Sequence, residues 1–132
     1  MRWLDTNVLL RWILEDDLTQ AHAVERLFHQ ASIKGERFFV TDLVLAELSW
    51  VLLSQGKPRV LVARTLAHLA DEELFEFENR HRWVSVAAIL EGNDVDLVDA
   101  YLAVCAQDQG DGAVVSFDRD FARLPVKWVE PK

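Results

Sequence analysis

With 132 residues, 51% of them apolar, and a formal net charge of −8, the sequence is the size of one ordinary domain, and a single core over residues 1–132 needs no disulfide support. The acidic balance excludes broad, non-specific attraction to nucleic acid, which calls for a basic face, so any nucleic-acid role must be local. The lone cysteine, Cys105, has no disulfide partner and reads as a buried thiol in a reducing compartment.

The chain opens Met1-Arg2-Trp3-Leu4-Asp5, meeting a carboxylate before a long apolar segment can form. Neither a signal peptide nor a membrane anchor is expected, and a cytoplasmic location is. Short apolar runs then alternate with longer helical patterns. Trp3-Leu4 opens the first strand, Arg37 to Val40 reads as the second, Leu74 to Phe77 as the third, Ala113 to Ser116 as the fourth and Val126 to Val129 as the fifth. Helices are expected over Asn7 to Leu14, Leu18 to Ile33, Asp42 to Ser54, Arg59 to Ala70, Arg82 to Glu91 and Val95 to Gln109. Gly35, Gly56, Gly92 and Gly110 each follow a helical pattern and read as left-handed caps. This alternation is the pattern of an α/β domain with a largely parallel sheet.

Carboxylates stand at informative places in that frame. Asp5 follows the first strand and Asp118 the fourth, which sets both at the carboxyl ends of strands, where open α/β sheets carry their functional crevice. Either residue is equally readable as a helix N-cap. Glu47 has Leu43, Val44, Trp50 and Val51 as its helical neighbours, so it is expected inside an apolar stripe. A carboxylate there needs a cation, hydrogen-bond donors or a buried arginine. Asp99 lies one turn after Asp96 near the start of its helix, where a charge cluster favoured by the helix dipole is the alternative to a functional role. Carboxylates converging at a sheet edge repel one another unless divalent cations neutralise them, and Mg²⁺ and Mn²⁺ prefer oxygen ligands. Such a site suits phosphate esters.

The order Asp5-Thr6-Asn7, Glu47 in a helix, Asp99-Ala100, then Ser116-Phe117-Asp118-Arg119-Asp120-Phe121 resembles the PIN-domain ribonucleases, and the VapC-like toxins match best in size. The resemblance implies a three-layer α/β/α sandwich and a metal-dependent endoribonuclease. It places the Mg²⁺ or Mn²⁺ ligands on Asp5, Glu47, Asp99 and Asp118, with Asn7 and Ser116 as accessory positions. Asp96 and Asp120 are nearby acidic residues for a second metal, bound directly or through water. A homodimer is implied too, together with an antitoxin whose basic segment enters the acidic crevice.

A phosphatase of the haloacid dehalogenase type also begins with a strand ending in aspartate, but its chemistry wants a second aspartate two residues later, where this chain has Asn7. A non-catalytic module holding a basic peptide is the other alternative, and a nuclease assay with and without Mn²⁺ discriminates it. Among the five tryptophans, Trp3, Trp50 and Trp128 are expected in the core, with Trp12 and Trp83 divided between core and interface. Arg80-His81-Arg82 reads as a solvated charge run, or as a guide for RNA phosphates. The four histidines read as surface residues.

Overall fold

The computed structural model describes residues 1–132. Strand β1 (Arg2–Trp3) leads into helices α1 (Thr6–Leu14) and α2 (Leu18–Lys34), and β2 (Phe38–Val40) into α3 (Asp42–Ser54) and α4 (Arg59–Asp71). Strand β3 (Phe75–Phe77) is followed by α5 (Arg80–Gly92) and α6 (Leu97–Gln109), and β4 (Ala113–Val115) by a 3-10 turn (Arg119–Arg123) and β5 (Lys127–Val129). All ladders are parallel, as helical crossovers require. Arg2 pairs with Phe38, Phe38 with Phe75, and Ala113 with Lys127. The result is a three-layer α/β/α sandwich whose strands form two hydrogen-bonded groups, β1-β2-β3 and β4-β5, rather than one continuous ladder.

Polar residues just beyond the strands start the helices that follow. Asp5 accepts from Thr6 N at 2.9 Å, Thr41 Oγ1 from Val44 N at 3.2 Å, and Asn79 Oδ1 from Arg82 N at 3.3 Å, each serving an otherwise orphaned helix N–H. Phe28, Phe38 and Phe75 anchor the core, with Phe28 and Phe75 edge-to-face at 5.5 Å between ring centroids. Trp12 adds its edge to Phe28 and Phe75, and Trp83 is fully buried, so both belong to the core.

Trp3 and Trp50 depart from expectation, with exposures of 69% and 67%. Trp3 lies on the edge strand of its sheet and stacks on Phe39, and Trp50 is on the outer side of α3. Trp128 is half-buried against the core. Arg80 and Arg82 do not form a solvated run. Arg80 donates to the carbonyls of Ala70 and Phe75 and lies over the Phe77 ring, and Arg82 is buried. Both are engaged in holding helices and strand together, which removes them as guides for phosphate. All four histidines are exposed, and Cys105 is half-buried rather than buried. Gly35 and Gly56 take the left-handed conformation at φ 69° and 84°, while Gly110 has φ −119° and Gly92 is the last residue of α5, so neither of these is a left-handed cap.

Candidate metal centre

The acidic centre forms where the start of α6 meets the segment after β4. Asp99 lies in the first turn of α6, half-buried, with Asp96 as the N-cap residue before it. After β4 the chain is held by backbone and hydroxyl bonds: Ser116 N donates to Val129 O at 3.0 Å, and Trp128 Nε1 donates to Ser116 O at 2.8 Å. Ser116 Oγ then accepts from Asp118 N at 2.9 Å, and Asp118 Oδ1 accepts from Asp120 N at 2.9 Å to start the 3-10 turn. The capping reading of Asp118 is therefore right about one oxygen. Its carboxylate belongs at the same time to a group with Asp99 and Asp120, whose ligand oxygens all lie within 4.8 Å of one another.

Asp99 is the least compensated member. Its Oδ2 is buried and has no hydrogen-bond partner. Burial, and then the charges of Asp118, Asp96 and Asp120, push its carboxyl above the usual aspartate range. A carboxylate that has an unpartnered buried oxygen and lies beside further carboxylates is what a hard divalent cation, bound through oxygen, would satisfy, so the donor set fits such an ion.

Asp5, Glu47 and Asp96 lie outside that close group. Asp5 is exposed at the carboxyl end of β1 and caps α1, and Asn7 is exposed in the next turn. Glu47 is exposed, contrary to its expected burial. The buried stripe of α3 runs through Leu45, Leu48, Ser49 and Leu52, whereas two of the four apolar neighbours of Glu47, Leu43 and Trp50, are themselves exposed on the opposite face and the other two, Val44 and Val51, are only half-buried. Helix α3 is apolar nearly all round, so apolar neighbours did not signal burial.

The structure also brings forward residues that periodicity does not flag. Arg123 Nη2 pairs with Asp120 Oδ1 at 2.7 Å, a contact legible only as an i, i+3 spacing of opposite charges. Asp42, at the start of α3, accepts from Trp83 Nε1 at 2.7 Å and from Arg82 Nη1 and Tyr101 OH at 3.4 Å. That network joins α3 to α5 and α6, the helix carrying Asp99.

A three-layer α/β/α sandwich that gathers aspartates beyond a parallel strand defines an α/β domain with an acidic centre suited to a divalent cation. Residues 3–127 match the sequence profile of the PIN domain. The chain is 30% identical to a VapC ribonuclease of Aquifex aeolicus (strain VF5), over 99% of this chain and 97% of that protein. No solved structure gives a significant match. The chain belongs to the PIN-domain family.

Proposed function

We propose that the chain is a metal-dependent endoribonuclease that hydrolyses RNA phosphodiester bonds with Mg²⁺ or Mn²⁺, and that it is the toxin of a toxin–antitoxin pair. The observation that carries this reading is the group of Asp99, Asp118 and Asp120, in which Asp99 has a buried oxygen, Oδ2, without a hydrogen-bond partner. Similarity to a VapC ribonuclease supports RNA as the substrate. We assign Asp5, Glu47, Asp99 and Asp118 to the catalytic, metal-binding set, and Asp120 joins them on geometry. When bound, a divalent cation supplies Lewis-acid activation of the phosphodiester and of the attacking water. Asp99 and Asp118 hold negative charge at its site, Ser116 fixes the backbone that presents Asp118, and Asp96 and Asn7 complete the polar rim. The purified chain should cleave RNA with Mn²⁺ or Mg²⁺ and stop in EDTA; cleavage that persists in EDTA contradicts the metal mechanism.

Two partners follow from the same reading. An antitoxin places a basic segment near the carboxylates and competes with metal for them, an occupant favoured by the chain's net charge of −8. A second copy of the chain covers the outer face of α3 and α6, where Leu43, Trp50, Val98 and Leu102 leave large apolar side chains in solvent. Trp50→Arg should then yield monomers in light scattering, and a variant that stays dimeric moves the interface elsewhere. No helix is long and apolar enough to cross a membrane, and residues 1–132 with their continuous core are read as one cytoplasmic domain.

A further inference from the structure

Three carboxylates within a few ångströms of one another need positive charge nearby even before any metal arrives, and the chain sends one cation into direct contact with one of them, Asp120. Arg123, at the end of the 3-10 turn, sets Nη2 2.7 Å from Asp120 Oδ1 and 3.2 Å from the carbonyl oxygen of Asp94. The pair is open to water, with side-chain exposures of 52% for Arg123 and 41% for Asp120. Exposed ion pairs are weak and exchange readily. Asp120 is therefore claimed twice, by this guanidinium and by the group it forms with Asp99 and Asp118.

We propose that Arg123 is the resident counterion of the acidic centre in the metal-free protein, gives up Asp120 when a divalent cation binds, and then holds a phosphate of the RNA strand. This inference rests on the metal-dependent reading above. Its physical basis is competition: a cation entering among the aspartates repels the guanidinium and offers Asp120 a stronger partner. The carbonyl of Asp94 keeps the released arginine at the mouth of the site. A planar guanidinium fork matches two phosphate oxygens, which a lysine ammonium does not. The competing view makes Arg123 a brace that pins the 3-10 turn to the loop before α6. The two views predict opposite signs. Removing a competing cation strengthens metal binding, whereas removing a brace loosens the carboxylates and weakens it.

The experiment is a calorimetric titration of the full chain with Mn²⁺ alone, for wild type, Arg123→Gln and Arg123→Lys. The glutamine variant should bind Mn²⁺ about three- to tenfold more tightly, because one positive charge has left the cluster. The lysine variant should keep wild-type Mn²⁺ affinity. At saturating Mn²⁺ both variants should raise KM for RNA cleavage by about fivefold, with kcat moved less. Unchanged or weaker Mn²⁺ binding by Arg123→Gln overturns the counterion role. If that variant does not fold, Arg123→Lys still decides: weaker Mn²⁺ binding, or an unchanged KM, overturns the proposal. Wild type that binds Mn²⁺ beside an unresponsive Arg123→Gln defeats this inference alone. Failure of every form to bind Mn²⁺ defeats the metal-dependent reading and this inference with it.

Discussion

Asp42 and Asp99 stand near the starts of touching helices, both half-buried, and their surroundings are opposite. Asp42 is met by Trp83 Nε1, Arg82 Nη1 and the Tyr101 hydroxyl, so its charge is fully used inside the fold. Asp99 meets other aspartates, and one of its oxygens has no donor at all. A carboxylate that a protein surrounds with donors is a fastener. One that it surrounds with more negative charge is held ready for a cation from outside.

Substitution separates the two aspartates most visibly. Asp99→Asn should lower metal-dependent RNA cleavage by at least about a hundredfold, since the lost charge is the one the proposed cation would compensate. The same variant should melt no lower than wild type in EDTA. Activity near wild type would show that Asp99 is not part of the working site.

Asp42→Ala should do the reverse. It strips Trp83 and Arg82 of their acceptor and leaves the buried guanidinium poorly paired, at a cost of about 3 kcal/mol and a Tm lower by about 10 °C. Mn²⁺ affinity should stay within about twofold of wild type when measured below that lowered Tm. A stable variant that loses Mn²⁺ binding would make Asp42 part of the site and erase the distinction.

A smaller effect sharpens the same contrast through pH. Because the folded-state pKa of Asp99 is raised by burial and by its neighbours, ionising it costs the folded protein stability. That stability is fully present below the unfolded-state aspartate pKa of about 3.9 and is lost as pH rises through the higher folded value. In EDTA the Tm of Asp99→Asn should therefore exceed that of wild type at pH 7, and the gap should close as pH falls. A gap that is constant with pH would mean that the substitution acts through packing instead.

Some of this was written openly in the sequence. The span Asp42–Ser54 is legible as a long, mostly apolar run of helix length, and Asp99 and Asp118 are recognisable by their places near a helix start and after a strand. Glu47 shows where such reading stops. Apolar neighbours imply burial only if the helix has one apolar face, and α3 has two, one in the core and one in solvent. Trp3 and Trp50 mislead for the same reason, since hydrophobicity does not say which surface covers a side chain. The closeness of Asp120 to Asp99 is not legible in the sequence, because the 3-10 turn over Arg119–Arg123 is too short to carry a period and is started by the Asp118 cap. Arg82, set in what looks like a surface charge run, is buried and donates to a carboxylate forty residues away.

The central claim is that Asp99, Asp118 and Asp120 form a divalent-metal site, and Mn²⁺ placed in a crystal of the protein tests it most directly. Anomalous diffraction should show a manganese peak within bonding distance of Asp99 Oδ2 and of at least one oxygen from Asp118 or Asp120, and the peak should vanish in Asp99→Asn. Manganese bound elsewhere, with Asp99 Oδ2 still lacking a partner, would contradict the account.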